Sequence, residues 1–109
     1  MMQSSRPPPP MVPPVVHRGI RYEQVKNAIA LGYDQLTGYL AAFDEKSGTR
    51  LWLLKVYDVK SDTKMEADVQ WVYFQRMELV SGKDQLLIEN EAHQKFIVDL
   101  KDKAVWPTR

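Results

Sequence analysis

Apolar and polar side chains alternate from Arg18 onward, and Ile20 and Tyr22 set the phase of a first predicted strand over 18–25. Val25, Ala28, Ile29 and Gly32 then mark one face and the end of a short helix near 23–31. No clear N-cap opens that segment, so a loop or a strand continuation stands beside the helix. YDQLTG, residues 33–38, reads as a loop. The runs Tyr39–Phe43 and Leu51–Tyr57 are dense in β-formers and predict two strands. In the second, Trp52, Leu54 and Val56 share one face while Leu51, Leu53 and Tyr57 take the other. Two apolar faces predict a central strand covered on both sides.

Residues 58–68 carry no core pattern and read as a surface loop. VQWVYFQRMELV, residues 69–80, is a long strand whose phase slips: Val72 and Phe74 have one parity, Met77 and Leu79 the other. One extra residue reverses the alternation of a strand, which predicts a β-bulge near Gln75–Arg76. The turns SGKD and NEAHQ frame strands at Leu86–Glu89 and Phe96–Leu100; KDK then leads into Ala104–Trp106, where Pro107 bars further ladder growth. Six to seven short strands at near-even spacing predict an all-β fold. It is a small antiparallel meander closed as a sandwich, roll or open barrel.

Six of the seven prolines fall in residues 1–14, so that segment is expected to be a disordered or polyproline II arm, with residues 15–109 forming a single β-rich domain. The arm carries PxxP spacings at Pro7–Pro10 and Pro10–Pro13, a pattern that aromatic-lined grooves read. Its prolines also interrupt the apolar core a signal peptide needs, and no apolar run approaches the length of a membrane span. The expectation is a soluble cytoplasmic protein, or an exported one if a leader has been removed. The net charge is +1. Arg6, Arg18 and Arg21 stand in residues 1–22 with no acid, which leaves about −2 for the rest. That balance disfavours a duplex-binding module, which usually shows a basic stripe. The chain has no cysteine, which removes disulfides, thiolate metal sites and thiol chemistry.

Chemistry narrows further. His17 and His93 are the only histidines and lie far apart in sequence, so no metal site is expected. DVKSDTKMEADV, residues 58–69, fails as a calcium loop: Lys60, Thr63 and Val69 occupy positions that need a ligand, a glycine and a glutamate. Nucleophilic catalysis lacks a Gly-x-Ser-x-Gly elbow, and phosphate binding lacks a glycine-rich loop opening a helix. No cofactor is expected.

GYLAAFDEKSGTRLWLLKVYDV, residues 38–59, is the most organised stretch. Gly48 supplies the positive φ that closes a short hairpin, Asp44 can accept from backbone N–H groups two or three residues on, and Ser47 can do likewise. Asp44, Ser47 and Gly48 therefore read as structural turn residues. Ala42-x-Asp44-x-x-Ser47-Gly48-x-x-x-Trp52 resembles the tryptophan-docking motif of pyrroloquinoline-quinone-type β-propellers, commonly Ala-x-Asp-x-x-Thr-Gly-x-x-x-Trp. The match spans about eleven residues, with Ser for Thr. Val98–Trp106 is a degenerate echo without the glycine and with its tryptophan displaced by one. The resemblance implies a blade-like hairpin whose Trp packs against a neighbouring sheet. It implies nothing about quinone binding, because no residues here correspond to that apparatus.

These readings converge on a non-enzymatic module for protein interaction or self-association, a symmetric dimer being the default oligomer. Its surface is expected to be an aromatic patch at Trp71, Tyr73 and Trp106 or an exposed strand edge, supplemented by the Pro-rich arm. Two alternatives stand beside it. A small barrel could stack single-stranded nucleic acid on its aromatics, though Asp68, Glu78 and Asp84 nearby are acidic. A small hydrolase or isomerase could draw on Asp44, Asp58, Glu66, Asp68 or Glu89, yet no spacing selects a pair.

Overall fold

The alternation read from the sequence is realised as two sheets in a computed structural model that describes residues 10–59 and 72–108. Among these residues eight strands run in chain order: β1 (Val15–His17), β2 (Ile20–Val25), β3 (Tyr39–Asp44), β4 (Arg50–Lys55), β5 (Phe74–Leu79), β6 (Gln85–Asn90), β7 (Lys95–Asp99) and β8 (Val105–Thr108). Strands β1–β4 form one antiparallel sheet and β5–β8 the other, each in sequential order. The fold is an all-β meander folded as a sandwich.

The two sheets share one core. Tyr22, Leu40, Ala42 and Val56 come from the first half, and Phe74, Met77, Leu86, Ile88 and Val98 from the second. Fully burying an aliphatic or aromatic side chain contributes roughly 1.5–3 kcal/mol, so this set dominates stability. Tyr57 is the hinge of the packing. Its ring lies 6.1 Å from Phe74 and 5.3 Å from Phe96, and its hydroxyl donates to the Val72 carbonyl at 2.6 Å. Burial pushes its phenol well above the ordinary range. Side chains of the first half also accept from backbone N–H groups of the second: Gln24 Oε1 from Phe74 at 2.7 Å, and the buried Thr37 hydroxyl from Val72 at 3.1 Å. These bonds satisfy donors where β5 begins and fix its position against the first sheet.

Two ladders carry bulges. Phe74 pairs with Asn90 and Arg76 with Glu89, so Gln75 is the extra residue, as the phase slip predicts. A second bulge falls in β4, where Ala42 pairs with Trp52 but Phe43 with Arg50, leaving Leu51 over.

Several expectations are corrected. β1 adds a strand beyond the predicted six or seven. It is joined to β2 by the two-residue turn Arg18–Gly19, both at positive φ (54° and 77°), the geometry that suits a tight hairpin. The helix option near 23–31 reduces to one 3-10 turn at Ile29–Leu31, closed by Gly32 at φ 94°, while Glu23–Val25 belong to β2. β4 is not central: it is an edge strand, with Leu51 48% exposed, and the fully buried run is Tyr39–Ala42 on β3. Pro107 does not end the last strand. It pairs opposite Phe96 within β8, which tolerates it as an edge. Of the Pro-rich arm, residues 10–14 form no strand, yet Val12 packs against the core; residues 1–9 lie outside the described residues, as does the predicted loop from residue 60 onward. Among the described residues no helix is long and apolar enough to cross a membrane.

Candidate functional site

The hairpin between β3 and β4 is built by its own backbone-shaping side chains. Asp44 Oδ1 accepts from the N–H groups of Lys46 (2.9 Å) and Ser47 (3.0 Å), Ser47 Oγ accepts from Thr49 N–H (3.2 Å), and Gly48 has φ 75°. The backbone donors of Ser47 and Lys46 hold the Asp44 carboxyl below the usual carboxylate range. Asp44, Ser47 and Gly48 thus sit in the turn as predicted. Trp52 is partly buried against the core, its ring 5.9 Å from that of Tyr22 and Lys103 Nζ 5.6 Å from its centre.

The hairpin between β7 and β8 repeats this arrangement. Asp99 Oδ1 accepts from Lys101 and Asp102 N–H, the Lys103 N–H donates to the Asp99 carbonyl, and Lys103 takes φ 62° where the first hairpin has Gly48. The Asp99 N–H donates to Ala104 O just as Asp44 N–H donates to Thr49 O. Trp52 pairs opposite Ala42, two residues before Asp44; Trp106 pairs opposite Ile97, two residues before Asp99. The one-residue difference in tryptophan spacing is absorbed by the bulge at Leu51. The two tryptophans therefore occupy equivalent places in equivalent sheets.

That equivalence defines two faces. In the first sheet the row Val15–Tyr22–Ala42–Trp52 lies across all four strands and packs toward the second sheet. Its counterpart in the second sheet is the row Glu78–Leu87–Ile97–Trp106. This row lies on the outer face, opposite the buried Leu86, Ile88 and Val98. Leu87 and Ile97 are half-buried there, and Trp106 is 41% exposed. Beside them runs a charged row, Arg76–Glu89–Lys95, in which Arg76 pairs with Glu89 at 3.4 Å. The outer face of the first sheet is different: the segment 26–38 packs on it at the Tyr39 end. Tyr33 packs on Tyr39 at 5.2 Å, Tyr39 donates its hydroxyl proton to Asp34, and Ala28 is fully buried. Burial, then the Asp34 bond, pushes the Tyr39 phenol up to about 12.

Of the residues expected at an interaction surface, Trp106 is 41% exposed on the outer face of the second sheet. Tyr73 is half-buried just before β5, the edge opposite β8, and its N–H donates to Glu91 Oε1 at 3.0 Å. The two do not come together. Trp71 lies outside the described residues. Leu87 and Ile97 share the row of Trp106, and sequence reasoning did not single them out, although their parity opposite Leu86 and Val98 could have placed them on this face.

A second feature joins the sheets at one end. Two adjoining hollows of about 230 Å³ each share His17, Arg18 and Asp84. Asp84 bonds His17 Nε2 at 2.7 Å and Arg18 Nε at 3.2 Å, and its backbone carbonyl accepts from Leu100 N–H at 2.9 Å. The His17 bond, then the charges of Arg18, His17 and Lys101, holds its carboxyl below the usual range. A depressed carboxyl stabilises the fold above the unfolded-state value of about 3.9, and that contribution is lost as pH falls through the lower folded value. Asp84→Asn is accordingly less stable than the parent in urea unfolding at pH 7, and the gap narrows as pH falls below the unfolded-state value of about 3.9. A gap independent of pH would show that the carboxylate charge is not what makes the Asp84 contacts with His17 and Arg18 stabilising.

Among the described residues no three potential metal ligands gather. Compared with known protein families, curated proteins and solved structures, the chain matches none.

Proposed function

We propose that this chain is a protein-interaction module without chemistry of its own, docking through the outer face of its second sheet around Leu87, Ile97 and Trp106. The observation that carries this reading is positional. One row of this face, Glu78–Leu87–Ile97–Trp106, corresponds in register to the row Val15–Tyr22–Ala42–Trp52 by which the first sheet packs against the second. In the first sheet the row's tryptophan is partly buried against a neighbour; in the second the equivalent tryptophan is 41% exposed. A sheet face shaped to receive another sheet, and left uncovered, is an interaction surface. In the same reading each sheet is a blade of the kind the 42–52 hairpin resembles, with the next blade supplied from outside. The absence of cysteine suits a reducing compartment such as the cytoplasm.

The test compares capture of protein partners by the parent chain, Ile97→Lys and Leu53→Lys, each checked for native circular dichroism. Leu53 lies on the first sheet and serves as the control position. The expected result is at least a tenfold loss of bound partner with Ile97→Lys and little change with Leu53→Lys. Equal capture by all three chains would overturn the assignment of the face.

A further inference from the structure

We propose that the hollow where the β1–β2, β5–β6 and β7–β8 turns converge binds a small organic anion, a carboxylate or phosphate carried on an apolar body. The site is separate from the docking face, since none of Leu87, Ile97 and Trp106 lines it.

The observation that asks for a ligand is a buried hydroxyl. Tyr22 is only 3% exposed, yet its hydroxyl makes no hydrogen bond among the described residues. The other two buried tyrosines are both bonded, Tyr39 to Asp34 and Tyr57 to the Val72 carbonyl. Buried polar groups almost always have a partner, so the exception needs one. Tyr22 lines the hollow beside Ile20, Asp84 and Leu100. Burial, then the Asp84 charge, raises its phenol, so an un-ionised O–H donor faces any occupant at neutral pH.

The surrounding charges select an anion. Arg18, Lys83 and Lys101 line the two adjoining hollows against one carboxylate, Asp84, which His17 and Arg18 already hold. Among the described residues neither Lys83 nor Lys101 lies within salt-bridge distance of an acid, and the Arg18 ion pair uses Nε, leaving both terminal nitrogens. A guanidinium edge and an ammonium are ordinary partners of carboxylate and phosphate oxygens. A cationic ligand would find only a carboxylate already engaged. Ile20 and Leu100, both packed against the core, supply an apolar wall. An apolar cavity of about 150 Å³ accepts benzene. Each hollow holds about 230 Å³, room for one ring and its acidic group.

Amide chemical shifts of the intact chain, followed at pH 7 in titrations with benzoate, phenyl phosphate, inorganic phosphate and benzyl alcohol, test the site. Benzoate or phenyl phosphate is expected to shift Tyr22, Leu100 and Lys101 saturably, the tighter of the two identifying the head group. Benzyl alcohol and inorganic phosphate each lack one half of the recognition and should bind at least about tenfold more weakly. Lys101→Gln should weaken the acid at least about threefold. Tyr22→Phe separates binding from structure. It should weaken the acid at least about fivefold, while urea unfolding without ligand shows no loss of stability, because the hydroxyl has no protein partner to lose. Absence of a saturable shift with both acids overturns the proposal, as does saturation mapped to Leu87 and Ile97 instead. Equal binding of benzyl alcohol overturns the anion, and equal binding of inorganic phosphate overturns the apolar body. A Tyr22→Phe chain that binds like the parent, or is less stable than it, overturns the part given to the hydroxyl.

Discussion

Phe74→Ala lowers the unfolding free energy by about 3–5 kcal/mol, the range for emptying a fully buried aromatic site. Phe74 is fully buried, and its ring packs against Tyr57, the residue on which both sheets converge. It pairs with Asn90 of β6, and its N–H is anchored to Gln24 of the first sheet. The backbone there is tied at both faces, so the neighbours cannot collapse into the space. For a domain of this size such a loss consumes a large part of the 5–15 kcal/mol that typically separates folded from unfolded chains. Urea unfolding should show the midpoint fall with an unchanged slope, and Phe74→Leu should recover most of the loss. A deficit under 1 kcal/mol for the alanine variant would mean that Phe74 is not at the centre of the core.

Gly38→Ala is the second large effect, about 2–4 kcal/mol, compounded from backbone strain and overpacking. Gly38 has φ 96°, and an added Cβ would stand 2.7 Å from the Tyr57 carbonyl oxygen and 2.7 Å from Gln35 Nε2. The side chain of Gln35 could move, but the carbonyl belongs to the backbone at the end of the β3–β4 ladder, where Val56 N–H also donates to Gly38 O at 2.7 Å. Moving it would disturb Tyr57 and with it the contact between sheets. Gly48→Ala provides the comparison, because Gly48 has a similar positive φ (75°) and open space around it. Thermal unfolding should therefore show a small loss at Gly48, from strain alone, and a several-fold larger one at Gly38. Equal losses at the two positions would refute the steric component.

The contrast between these glycines shows what a sequence discloses. Gly48 was legible because its partners, Asp44 and Ser47, stand within four residues of it. The bulge at Gln75 was legible for the same reason, since a phase slip is written in neighbouring residues. Gly38 was not, because its neighbour Tyr57 is brought close only when β3 pairs with β4. Asp84 and His17 are 67 residues apart, and no local pattern announces their bond. The apolar face pattern of β4 misled on its position: an edge strand with a bulge at Leu51 can carry leucines on its exposed side without being covered there. Ile97 and Trp106 alternate as any strand residues do. Their correspondence with Ala42 and Trp52, on which the role proposed for them rests, is hidden from a direct alignment of the two halves by the extra residue in β4.

The sequential order of the strands bears on how the molecule reaches this state. Each ladder joins strands adjacent in the chain, so both sheets can zip up from their own hairpins, each closing a short loop at small entropic cost. The contacts left for last are those between the sheets: Tyr57 with Phe74 and Phe96, Gln24 with Phe74, and His17 with Asp84. Joining the two meanders closes the contacts of longest sequence separation, and is expected to be the slower step in refolding kinetics. A chain caught before it would present the tryptophan faces of both sheets at once, and would be most prone to mispair with its neighbours at that moment.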